Sequence, residues 1–98
     1  LKLFNFKTFK KEVKMVTRNI DWRVRVVGTG IFLTNSIRVF EVNSTAAKVF
    51  LMCDGKHDID MMVSEIKNTF ETINHVDEIR IDIDAALEIL KNIGAIQN

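Results

Sequence analysis

The spacing of hydrophobic positions changes once along the chain, near residue 43, and divides it into two differently built halves. Residues 22–27 read WRVRVV, with Trp22, Val24 and Val26 alternating against Arg23 and Arg25. A period of two rich in β-branched side chains predicts a half-buried strand. Gly28, Thr29 and Gly30 predict a turn, because glycine reaches positive φ without steric cost. Ile31, Phe32 and Leu33 predict a second short strand. Asn35 and Ser36 mark another turn, and 37–42 (IRVFEV) predicts a third strand. Strands so close in sequence predict an antiparallel meander.

Beyond Asn43 the period becomes helical. Asn43 or Ser44 offers a side-chain oxygen to the free N–H groups of a first helix. Its buried face would carry Ala46, Val49, Phe50 and Cys53, with Gly55 as the left-handed terminator. Asp58 is the expected cap of a second helix, and Asp60 adds charge that suits its positive end. The apolar stripe there is Ile59, Met62, Val63, Ile66 and Phe70, and Asn74 with His75 closes the element. A third helix is expected after a cap at Asp77, with Glu78 in its first turn. Ile79, Ile83, Ala86, Leu87 and Leu90 would face inward, Gly94 would end it, and Ala95 and Ile96 would follow as a tail packed on the body. The order β-β-β-α-α-α is that of an α+β domain: a three-stranded antiparallel sheet followed by three helices.

Residues 1–19 fit neither period cleanly. Phe6, Phe9, Val13 and Val16 approach helical spacing, but Leu1, Leu3 and Thr8 blur it. The segment reads as a basic, aromatic arm that packs on the body or on a neighbouring molecule, ahead of a domain at 20–98.

A length of 98 residues allows one domain. The net charge of +1 conceals an asymmetry. Residues 1–25 hold eight Lys or Arg against Glu12 and Asp21, whereas the rest hold six basic against eleven acidic side chains. The arm is basic and the body acidic. No apolar run approaches the roughly 18 residues of a membrane span. A lone cysteine excludes an internal disulfide and suits a reducing, cytoplasmic setting.

Catalytic chemistry finds little support. Cys53 lacks a second cysteine, and His57 and His75 have no metal-like spacing with it, so a small buried residue closing a helix is the better account. Asp54 and Asp58 bracket a turn and are expected to cap rather than to exchange protons. Asp77, Glu78, Asp82 and Asp84 lack the glycine and terminal glutamate of a calcium loop. Gly28-Thr29-Gly30 precedes a strand, where a phosphate-binding loop would precede a helix. The expectation is a protein that is not an enzyme and uses no cofactor or metal.

The stretch VNSTAAKVFLMCDG at 42–55 resembles the signature of the PqqD-like family: a Leu-Asn, small residues with Thr or Ser and Ala, an apolar helix, and a closing Cys-Asp-Gly. RNIDW at 18–22 is similar to that family's entry into its first strand. DIDMMV at 58–63 is similar to its second helix, and LEILKNIGAI at 87–96 to its ending. The resemblance covers about 18–97. Val42 and Met52 depart from it where leucine is usual, and the arm lies outside it. The resemblance implies a winged helix-turn-helix-like fold that serves as a recognition element for ribosomally made precursor peptides. In such proteins the leader of the precursor adds as a strand beside the third strand, with the third helix as the other wall, and is delivered to a maturation enzyme, often a radical-SAM enzyme.

The residues themselves are compatible with that role. An edge strand offers unpaired N–H and C=O groups, which an added peptide strand satisfies. The candidate edge is Ile37, Arg38, Val39, Phe40, Glu41 and Val42, with Phe40 and Val42 expected to face the core. On the third helix Asp82, Ala85, Ile89 and Ile93 form one largely apolar flank, with Ala86 beside them on the core stripe. A DNA-binding winged helix is the rival reading. It is disfavoured by Asp58, Asp60, Glu65, Asp82, Asp84 and Glu88 on the candidate recognition helices, so no specific nucleic-acid partner is expected. A dimerisation module is a third reading, since an unpaired edge or an aromatic arm can pair between protomers to give a homodimer.

Overall fold

The computed structural model describes residues 15–70 and 74–97, so most of the arm, at 1–14, lies outside the described residues. In chain order the elements are β1 (Thr17–Arg18), β2 (Arg23–Val27), β3 (Gly30–Thr34), β4 (Val39–Glu41), α1 (Ser44–Met52), α2 (Ile59–Phe70), α3 (Val76–Asn92) and β5 (Ile96–Gln97). The architecture is α+β, with β2, β3 and β4 forming a three-stranded antiparallel meander in that spatial order. Gly28, at φ +61°, makes the tight turn between β2 and β3, as its permissive backbone predicts.

Leu33 of β3 and Trp22, just before β2, enter the core from the sheet side, Ala95 and Ile96 enter it from the segment after α3, and the helices supply the rest. Val49, Phe50, Met52 and Cys53 come from α1 and its end, Met62, Val63 and Ile66 from α2, and Ile79, Ile83, Ala86 and Leu90 from α3. Apart from Met52, all of these lie on the stripes expected from the sequence, whose Ala46, Ile59 and Leu87 pack against the core only partly buried. Phe70 departs furthest from them, 39% exposed at the end of α2. Val26 is also exposed, and of the alternating pair on β2 only Val24 packs against the core.

The caps follow local chemistry. Asn43 Oδ1 accepts the Ala46 N–H at 2.7 Å, and Asp58 Oδ1 accepts the Met61 N–H at 2.8 Å. The third helix begins earlier than expected. Its cap is His75, and Asp77 and Glu78 both lie in the first turn, where they complement the positive helix end. The Glu78 carboxylate accepts the His75 N–H at 3.2 Å, half of a capping box that places the cap two residues before the predicted one.

Two short strands escaped the sequence reading. β1 pairs antiparallel with β5, joining Thr17 to Gln97 and Arg18 to Ile96 in register. The neighbouring Asn19 donates its N–H to the Ala95 carbonyl at 2.9 Å, while the Arg18 N–H reaches Cys53 O at 2.8 Å. Segment 17–19 thereby ties the end of α1 to the segment after α3. Ala95 and Ile96 are buried there, as the expected tail packed on the body.

Candidate functional site

The third strand is shorter than the six residues expected. Asn35 Oδ1 accepts the N–H groups of both Ile37, at 2.8 Å, and Arg38, at 2.6 Å. An Asx-type turn thus consumes two N–H groups that the sequence reading assigned to the free edge. Only Val39–Glu41 is strand, and Ile37 stands 85% exposed on the turn before it.

Within that strand the orientation of the backbone groups follows from register. Antiparallel residues alternate between bonding their partner strand and pointing away from it. The Val42 N–H donates to Ile31 O at 2.9 Å and the Asn35 N–H to Arg38 O at 3.0 Å, and Leu33 lies opposite Phe40 between them. Phe40 therefore bonds β3, whereas Val39 and Glu41 direct their N–H and C=O groups outward. Among the described residues no strand lies on that side of β4.

Side chains divide as the alternation requires. Phe40 and Val42 pack against the core, and Val39 and Glu41 are exposed on the outer face of the sheet. Phe40 stacks on Trp22 with centroids 6.0 Å apart. The Arg38 guanidinium lies 5.6 Å from the Trp22 ring centre and 5.5 Å from that of Phe40, and it donates to the carbonyl of Ile93. This contact fixes the start of β4 against the end of α3.

The other end of β4 leads into a cleft of about 270 Å³. One wall is Asn43, Thr45 and Ala46, at the beginning of α1. The opposite wall is Asp82, Ala85, Ala86 and Ile89 on α3. Since Arg38 meets Ile93 and Asn43 faces the turns of α3 before it, β4 and α3 run side by side in opposite senses. Ala85, Asp82 and Ile89 are exposed, Ala86 is buried as the floor, and Ile93 is half-buried at the Arg38 end. The structure thus brings Asp82, Ala85, Ala86 and Ile89 together beside the end of β4, and Ile93 beside its start. Ile37 stands apart on its turn. The wall from α1 was missed. Thr45 and Ala46 were visible as small residues after a cap, but their place in a cleft depends on the crossing of α1 and α3.

A second, shallower depression of about 520 Å³ lies on the outer face of the sheet, where Arg23, Arg25 and Val27 on β2 flank Phe32 and Val39. The Phe32 ring lies over Gly30, where a Cβ would come within 2.8 Å of it. Val39 belongs to this face, so the free edge of β4 joins it to the cleft.

The Cys-Asp-Gly segment sits on the far end of α1 and is structural. The Cys53 thiol is fully buried and donates to Val49 O at 3.2 Å, and burial pushes its pKa up to about 11. Such a thiol is a poor nucleophile at neutral pH. Asp54 accepts from the Lys56 N–H at 2.9 Å and faces His57 Nδ1 at 3.0 Å, and Gly55 turns with φ +79°. Among the described residues no three His, Cys, Asp or Glu side chains converge as a metal site, and no helix is long and apolar enough to cross a membrane.

The family described as Coenzyme PQQ synthesis protein D (PqqD) matches residues 30–96. No curated protein and no solved structure was found to match the chain. The RNIDW segment at 18–22 precedes the matched span, whereas β3, β4, all three helices and the cleft between α1 and α3 fall inside it. With well over half of its length matched, the chain belongs to the PqqD family.

Proposed function

We propose that this domain binds the leader segment of a ribosomally synthesised precursor peptide and presents it to a modifying enzyme, without catalysing a reaction itself. The leader adds as a strand along β4 and rests against α3. One observation carries the reading: Val39 and Glu41 turn paired donors and acceptors outward beside a small-residue cleft. Main-chain bonds along such an edge supply affinity, and the pockets beside it supply specificity. The contacting residues are Val39 and Glu41 through their backbone and Asp82, Ala85, Ala86 and Ile89 through their side chains. Ile37, Arg38 and Ile93 border the far end, while Phe40 and Val42 hold the strand to the core. The partner enzyme implied by the family resemblance is a radical-SAM maturase, and a buried, unpaired Cys53 suits a cytoplasmic setting.

The test is an NMR titration of the ¹⁵N-labelled full chain with the precursor peptide encoded beside its gene. The amides of Val39, Glu41, Ala85 and Ile89 are expected to shift together. Shifts confined to α2 or to the β2–β3 hairpin tip reject the groove.

A further inference from the structure

Strand addition fixes where each incoming side chain points, because successive residues alternate between the faces of a sheet. Residues placed opposite Val39 and Glu41 carry their side chains to the outer face. The residue between them projects the other way, towards the helices and the cleft. That cleft has Ala86 as its floor and Ala46, Ala85 and Ile89 as the apolar part of its walls, with Asn43, Thr45 and Asp82 adding polar groups at the sides, so its apolar part suits one large apolar side chain.

The same end of the groove is acidic. Glu41 stands on the outer face and Asp82 on the rim of the cleft, both exposed, and among the described residues neither forms an ion pair. The nearby cations are otherwise placed. Arg38 is held at the opposite end by Ile93 O and two aromatic rings, and Lys48 pairs with Glu65 at 3.6 Å. Arg25 shares a row with Glu41 but lies two strands away, with Phe32 between them.

We infer that the peptide received here carries a lysine or arginine opposite Glu41 and, next to it in sequence, a large apolar residue that enters the alanine-floored cleft beside Asp82. This rests on the strand addition proposed above and deepens it into a recognition pattern. The pattern holds for either direction of the added strand, which changes only the order of the two residues. A carboxylate opposite Glu41 would form a like-charge cross-strand pair, which is unfavourable.

A displayed library of random peptides of about twelve residues, panned against the full chain, reads this preference without the natural leader. Enriched peptides are expected to place Lys or Arg directly beside Leu, Ile, Val or Phe, and to shift the amides of Val39, Glu41, Ala85 and Ile89. Joint reversal by Glu41→Lys and Asp82→Lys, both at exposed positions, should weaken those peptides on the order of tenfold. Panning against the reversed protein should then select Asp or Glu at the formerly basic position. Peptides that dock on the same amides with no preference for cations overturn the charge pattern and leave strand addition standing. Enriched peptides that leave β4 and α3 unmoved overturn strand addition itself, and a library that yields no enrichment counts against both.

Discussion

The Asp54 carboxylate pairs with His57 and accepts the Lys56 N–H, and these bonds hold its pKa down at about 2, below its ordinary 3.8. A depressed carboxylate stabilises the fold above its unfolded pKa and loses that contribution as pH falls through the folded value. The window here runs from about pH 4 down to about pH 2. Asp54→Asn should therefore flatten the acid limb of the stability curve in that range, as measured by urea unfolding across pH. At Val39 a different residue-level test is available. Proline is tolerated at a sheet edge where its missing N–H faces away from the neighbouring strand. Val39→Pro should keep the melting temperature close to that of the wild type, yet weaken leader binding roughly two- to tenfold, the worth of one net hydrogen bond. Unchanged affinity in the folded variant would show that this N–H is not a ladder donor. Such detail was only partly legible in the sequence. Alternation placed Phe40 and Val42 inward correctly, but a helical or strand period says nothing of a side chain that captures backbone donors, so Asn35 shortened the edge unseen.

Helices were the most legible elements, because each carries a 3.6-residue stripe long enough to define a face. The same periodicity located the flank of α3 that borders the cleft, since Asp82, Ala85 and Ile89 follow one another around a single side. The opposite wall was less legible. Asn43, Thr45 and Ala46 read as a cap and the opening of a helix, which they are, and their second use appears only when α1 crosses α3. This wall arrangement gives a prediction for the element as a whole. Ile89 is 57% exposed, so Ile89→Asp removes little core packing and should change stability by only about 0.5 kcal/mol. It should nonetheless lower leader affinity about tenfold, by replacing an apolar contact with a desolvated charge. Isothermal titration of the variant against the leader, beside a melting curve, separates the two effects. An affinity equal to that of the wild type would remove α3 from the groove.

At the scale of the whole molecule, the ends of the described chain are joined, and the joint begins at Gly94, next to the Ile93 that borders the far end of the proposed groove. β1 and β5 are two residues each, too short to show any period, and their pairing spans nearly the full sequence, which is why the sequence did not disclose them. Their residues still do identifiable work. Ile96 is 4% exposed within the core, Asn19 bonds both Ala95 and Gly94 through backbone and side chain, and Arg18 bonds the carbonyls of Cys53 and Leu51 while lying over the Phe50 ring. One small ladder thus closes the carboxyl ends of α1 and α3 together. If it acts as a clasp, weakening it should loosen the chain ends before it loosens the helices, because local opening follows contiguous cooperative units. Ile96→Ala should cost about 2–5 kcal/mol, the range for a buried aliphatic truncation. Native-state hydrogen exchange should show Arg18, Asn19 and Ala95 losing protection well before Phe50 and Ile83. Equal loss at all five amides would mean that the clasp and the helical core open as one unit, in which case the pairing of the chain ends contributes to global stability alone.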